Sequence, residues 1–130
     1  MFSPARAWRE YPQKYRLEAE KCQCGKVCYP PRVICPECGG RSFETVTMPR
    51  EGTVVTFTVV RVPPSNFTGQ SPLPIAVVEL DNGVRLMVQV ADIVDPDELK
   101  IGMRVRLEFR RISSDGEAGT IFYGHKAVKA

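Results

Sequence analysis

The chain is poor in histidine, in long apolar runs and in cysteine outside one short patch. Its 130 residues contain a single histidine, His125. Ser113, Ser114 and Asp115 lie together in a loop, but no histidine stands near them in sequence to complete a nucleophilic triad. A lone histidine in a strand is most often structural, and His125 is read that way. No apolar run exceeds about five residues, against the ~20 of a membrane-spanning helix. The start, MFSPARAWREYPQKYR, lacks the apolar core of a signal peptide. The expected location is therefore cytoplasmic, where thiols stay reduced and disulfides are disfavoured. No phosphate loop or dinucleotide fingerprint is present. Asp92, Asp95, Asp97 and Glu98 surround Pro96 as a turn and helix start, without the pattern of a calcium loop. There is no internal repeat or low-complexity segment. These absences point to a non-catalytic chain, with no catalytic residues assigned.

Net charge is +3 and 25% of residues are charged, an ordinary soluble balance. Residues 1–50 carry nine Lys/Arg against five Asp/Glu, whereas residues 51–130 carry nine against ten. The basic half admits a phosphate or nucleic-acid partner. It also suits Lys21, Lys26, Arg32 and Arg41 offsetting a cluster of thiolates.

All five cysteines sit inside EKCQCGKVCYPPRVICPECGG, residues 20–40. Cys35-Pro36-Glu37-Cys38-Gly39 is a full zinc knuckle: the two-residue spacing brings both sulfurs to one ion, and the glycine permits the turn that aims amide N–H groups at them. Cys22-Gln23-Cys24-Gly25-Lys26 has its glycine in place but is one residue short of C-x-x-C. Ten residues, Gly25 to Ile34, separate the halves, a normal zinc-ribbon length. The predicted ligands are Cys22, Cys24, Cys35 and Cys38, with Cys28 a small buried hydrophobe. A rival set pairs Cys24 with Cys28 and frees Cys22; Gly25 favours the first. Four thiolates close the shell and leave no position for water, so one structural zinc per chain is expected. Its apparent contribution in small fingers, ~10–16 kcal/mol, suits a module too small to fold on a core of its own. Iron, as in a rubredoxin-like electron carrier, is the alternative.

Three segments follow. Residues 1–20 form a helical N-terminus with Ser3 as N-cap and Pro4 in the first turn; Pro12 predicts a break into two short helices or turns. Trp8, Tyr11, Tyr15 and Leu17 must then pack on the rest of the chain or on a partner. Residues 21–44 are the ribbon. Residues 45–130 read as five strands, with a hairpin at Asn82-Gly83 whose two turn positions tolerate positive φ. In the fourth strand Met103, Val105, Leu107 and Phe109 face inward, and Arg104, Arg106, Glu108 and Arg110 outward. The only gap long enough for a helix or turn is DIVDPDELKIG, between the third and fourth strands. Five strands so spaced indicate a Greek-key OB-fold barrel rather than a β-sandwich. The fold class is thus mostly β: helical start, rubredoxin-like zinc ribbon, five-stranded OB-fold.

Two surfaces are candidates for binding. VPPSNFTGQSPLP is stiffened by prolines and carries Phe67 as an anchor, or as a residue folded back on the barrel. Arg104, Arg106, Arg110 and Arg111 form a stripe that meets phosphate, a partner's acids or only solvent. A strand-binding OB-fold needs free aromatics and a basic groove. The barrel half is net negative, and Phe57 and Phe109 fall on its core face, so nucleic acid is disfavoured.

Taken in order, "WRE", "YRLEAEKC", "YPPRVICPECG", "GTVVTFTVVRVPPSNF", "VVELDNGVRLMVQV", "DPDELKIGMRVRLEFRRI" and "DGEAGTIFYGHK" resemble the zinc-ribbon plus OB-fold proteins, long listed as a domain of unknown function and encoded with thiolases and other acyl-CoA enzymes. The resemblance runs from Trp8 to Lys126. It implies an accessory subunit. Archaeal members look like a bridge between acetoacetyl-CoA thiolase and hydroxymethylglutaryl-CoA synthase in the mevalonate route; bacterial ones pair with hydratases, aldolases and thiolase-like proteins. The short N-terminus is closer to the archaeal type. The chain departs from the family in its shortened first knuckle and in Cys28, where an aromatic or aliphatic residue is usual. The resemblance supplies no residue list for CoA contact. An acyl-CoA carrier and a single-stranded nucleic-acid module are the alternative functions.

Overall fold

The computed structural model describes residues 3–67, 69, 72–93, 95–114, 119 and 121–130. Helix α1 spans Pro4–Arg16, followed by β1 (Glu18–Cys22), β2 (Val27–Cys28), β3 (Phe43–Thr47), β4 (Glu51–Val60), β5 (Leu73–Leu80), β6 (Arg85–Gln89), β7 (Arg104–Ser114) and β8 (Ile121–Lys129). Mostly β architecture after a helical N-terminus is what the residue pattern predicts.

The expected break at Pro12 does not occur: α1 continues through it. A proline removes one N–H and clashes one turn back, at a cost of about 3 kcal/mol that exposed ion pairs of about 0.3–0.5 kcal/mol do not offset; the helix beyond it is held from outside, where the Tyr29 hydroxyl donates to the Gln13 carbonyl over 3.1 Å and His125 Nδ1 lies 2.9 Å from the Lys14 carbonyl. The helix then stops where Leu17 turns left-handed at φ 52°, its N–H reaching the Pro12 carbonyl. Lys14 and Arg16 lie in the last turn, where the helix dipole favours cations. Ser3 does occupy the N-cap, although its side chain makes no capping bond.

β1, β2 and β3 form one antiparallel sheet in the order β2-β1-β3. The second sheet runs β6-β5-β4-β7-β8. Among the described residues, its free edges meet at a single parallel bridge, Val90–Ala127, where the Ala91 N–H donates to the Ala127 carbonyl over 2.8 Å. The expected barrel is therefore pinned rather than laddered shut: β6, at five residues, is too short to follow the nine of β8. One core joins both sheets, because Leu17, Ala19 and Met48 pack with Val54, Val78, Leu80, Leu99, Val105 and Leu107.

Two local expectations change. At the β5–β6 hairpin only Gly83 takes positive φ, at 86°. The Gly83 N–H donates to the Leu80 carbonyl and the Asn82 side chain accepts from the Val84 N–H, a longer turn than the two-residue type. In β7, Val105 and Leu107 are buried but Phe109 is 45% exposed. The β7–β8 register shifts between Arg111 and Ser113, and a bulge there re-aims side chains, so Ser113 rather than a hydrophobic residue turns inward. Asp115 lies outside the described residues.

Candidate metal centre and flanking surfaces

The β1–β2 hairpin and the loop before β3 deliver the cysteines. At the first turn the Cys22 N–H donates to the Lys26 carbonyl and the Gly25 N–H to the Cys22 carbonyl. Gly25 has φ 96°, a conformation costly for any other residue. At the second, the Gly39 N–H reaches the Cys35 carbonyl and the Cys35 N–H the Gly40 carbonyl. The result is one cluster: the sulfurs of Cys22, Cys24, Cys35 and Cys38 all lie within 4.8 Å of one another. Cys22 and Cys38 are 3.4 Å apart, Cys24 and Cys35 3.7 Å. A regular tetrahedron with ~2.3 Å metal–sulfur bonds has edges of about 3.8 Å, so four thiolates so placed could hold one metal ion. Cys28 stands outside the group, buried in β2 opposite Glu20.

The protons at the cluster are unevenly held. The Cys38 N–H acts most strongly on Cys35. With the Glu37 N–H and the Cys24 and Cys38 sulfurs it overcomes desolvation and brings that thiol down to about 6. At the other three a backbone N–H pulls down (Cys24 on Cys22, Lys26 on Cys24, Gly40 on Cys38), but neighbouring sulfurs and desolvation prevail and the net shift is upward. Four adjacent thiolates repel one another, and a divalent cation at their centre would remove that obstacle.

Three arginines of the stripe, Arg104, Arg106 and Arg110, are ion-paired within the chain. Arg104 grips Asp81 with both terminal nitrogens, at 3.0 and 3.3 Å, and lies 3.5 Å from Glu51. Arg110 holds Asp92 the same way, at 3.1 and 2.6 Å. Arg106 pairs with Glu108, and Arg111 with Ser114. Hydrogen bonding to the guanidinium lowers the pKa of Asp81 and of Asp92. Phe67 is half-buried in a short 3-10 turn at Ser65–Phe67; Thr68, Gln70 and Ser71 of its loop lie outside the described residues.

An aromatic cluster went unforeseen. Phe109 stacks on Tyr123 at 5.4 Å, Tyr15 meets both edge-on, and Tyr11 meets Tyr15. His125 packs against Phe109, and its Nδ1 lies 2.9 Å from the Lys14 carbonyl. Lowered in pKa by burial, it fastens the end of α1 to β8. Phe57 does pack against the core, as expected. The available signal was the run of Phe109, Tyr123 and His125 along the face that Leu107 and Ala127 share. Trp8 stays 75% exposed.

The family defined by the C-terminal OB-fold domain of ChsH2 matches residues 45–110. A DUF35 domain-containing scaffold protein of Pyrococcus furiosus is 43% identical over 94% of this chain and 89% of its own length. One of Methanothermobacter thermautotrophicus is 39% identical over 97% and 96%. More distant are a probable enoyl-CoA hydratase alpha subunit of Thermomonospora curvata, 34% identical over 78% of this chain and 32% of that protein, and the benzoylsuccinyl-CoA thiolase subunit BbsA of Thauera aromatica, 28% over 68% and 57%. Among solved structures, a chain of an Ltp2–ChsH2(DUF35) aldolase superposes with TM-score 0.75 at 29% identity, covering 99% of this chain and 96% of that one.

Proposed function

Because this chain belongs to the family of DUF35 domain-containing scaffold proteins, we propose that it is a non-catalytic subunit joining a thiolase-type enzyme to a second acyl-CoA enzyme. The observation that carries this reading is the match over nearly the full length of scaffold proteins at 39% and 43% identity. Relatives named as a thiolase subunit and an enoyl-CoA hydratase subunit support the choice of partner class. The partners we infer are acetoacetyl-CoA thiolase and hydroxymethylglutaryl-CoA synthase, at the start of the mevalonate route. Holding the two together raises the effective concentration of the intermediate at the second site and draws an unfavourable condensation forward.

Three units serve this role in our reading: a helical start to about residue 20, a ribbon to about 44 and the OB-fold beyond. Cys22, Cys24, Cys35 and Cys38 hold one structural zinc, which fixes the ribbon; Cys28 packs beside it. No step of chemistry passes through the ion. The tethered arginines argue against a phosphate-reading groove, and the chain works in the cytoplasm in this account. Among the described residues, no helix is long and apolar enough to cross a membrane.

Affinity purification of the tagged chain from its native cell, with mass spectrometry, tests the proposal. Recovery of a thiolase together with the synthase is expected. Recovery of ribosomal proteins or RNA instead overturns it in favour of a nucleic-acid module. Calorimetric binding of CoA or acetoacetyl-CoA by the isolated chain, without enzyme partners, would make it a carrier.

A further inference from the structure

None of the residues of helix α1 is buried. Trp8, Tyr11 and Tyr15 follow the spacing i, i+3, i+7, which sets them on one face of the helix. They are 75%, 43% and 40% exposed. The Tyr11 and Tyr15 rings lie 6.3 Å apart, and Phe109, 45% exposed, continues the row 5.3 Å beyond Tyr15. At about 150–250 Å² per aromatic side chain, these four leave on the order of 400 Å² in water. That is about half of the ~800 Å² that one partner contributes to a standard interface.

The charge beside the row has one sign. Arg6, Arg9, Lys14 and Arg16 stand in α1 against a single acid, Glu10. Glu10 takes up Arg6 and Lys14. Arg16 lies over the Tyr11 ring at 5.2 Å and pairs with Glu18. Arg9 is exposed and has no acid partner among the described residues. Protein interfaces concentrate Trp, Tyr, Phe and Arg, and anchors at i, i+3 and i+7 are what a groove on a partner protein reads from a helix. A carboxylate on the groove's rim would complement Arg9.

Two other occupants fit less well. A nucleic-acid strand stacks its bases on open ring faces. Here Tyr11, Tyr15 and Phe109 meet edge to face at 73°, and Tyr123 stacks on Phe109. A bilayer takes up aliphatic side chains, and α1 has no Leu, Ile, Val, Met or Phe.

Resting on the scaffold reading, we propose that this face of α1, continued by Phe109, docks into an apolar groove of the thiolase-type enzyme. Trp8 fills the floor of that groove and a carboxylate of its rim faces Arg9.

Trp8 is the chain's single tryptophan, so 5-fluorotryptophan gives the labelled chain one ¹⁹F signal. Adding purified acetoacetyl-CoA thiolase to the full metal-loaded chain should move that signal saturably, with calorimetry supplying Kd. Trp8→Ala should weaken binding at least about tenfold, as loss of a buried aromatic anchor does. Arg9→Glu should weaken it about three- to tenfold and flatten its decline with added salt. Ile101→Ala, at an exposed site in the turn before β7, should stay within about twofold. Trp8 and Arg9 are exposed, so both variants should keep the parent's circular dichroism and zinc content. If the thiolase binds the parent, and Trp8→Ala and Arg9→Glu equally well, the docking face is overturned and the scaffold reading stands. If it does not bind the parent, both fall. A third result also overturns the docking face. It is binding to phosphatidylglycerol vesicles or to oligouridylate that Trp8→Ala abolishes while thiolase affinity is unchanged.

Discussion

The sheet of β1–β3 and the sheet of β4–β8 reach order by different physics. In the loop that joins β2 to β3 of the first, Val33 is 78% and Ile34 48% exposed, and the two turns converge on four sulfurs rather than on a core. In the second, Val54, Val78, Leu80, Val105 and Leu107 are almost wholly removed from water. The small sheet lacks the apolar area to stabilise itself by burial; the large one has it. They are not strangers, however. Leu17, Ala19 and Met48 anchor the base of the small sheet in the common core, and the Met48 N–H donates to the Leu17 carbonyl. The contrast teaches that order decays along the ribbon from a packed base to a tip held by sulfur.

Removing the metal should give the largest effect. Stripping with a chelator, or Cys35→Ser, should release one zinc per chain, forfeiting an apparent ~10–16 kcal/mol of metal binding. NMR signals of the ribbon tip should collapse while those of β4–β8 persist, with elemental analysis reporting the zinc. Loss of both sheets at once would break the distinction. Leu107→Ala should do the opposite, costing about 2–5 kcal/mol in a denaturant titration with zinc content unchanged. Gly52→Ala tests the same sheet at its backbone: a Cβ there would lie 2.6 Å from the Glu79 carbonyl oxygen. We expect about 1–3 kcal/mol lost and a lower melting temperature. Cys28→Ala should cost about 1 kcal/mol and retain one zinc; loss of zinc would transfer the ligand role from Cys22 to Cys28.

The smallest effect concerns pH. Folding lowers the pKa of His125, so the unfolded chain takes up the proton first. The contribution is complete above about pH 6.5 and declines as pH falls below it. Urea midpoints at a series of pH values, compared with those of His125→Phe, should show a slope in the parent that the variant lacks. Asp81 and Asp92, also lowered, act in the same direction only below about pH 4.

The sequence by itself determined the knuckle spacing, the positions of most strands and the hairpin at Gly83, because turn chemistry and side-chain alternation act over a few residues. It also carried the family likeness. Only the tertiary structure decided the fates of Pro12 and Phe109: Tyr29 and His125 hold the helix beyond the first through the Gln13 and Lys14 carbonyls, and the second is covered by Tyr15 of that helix and stacked on Tyr123. The same holds for the partners of Arg104 and Arg110, which come from turns 23 and 18 residues away. The seal between β6 and β8, and the bond from His125 to Lys14 across 111 residues, likewise lie beyond local pattern. Such pairings depend on which surfaces the folded chain brings face to face, and periodicity along the backbone does not encode that.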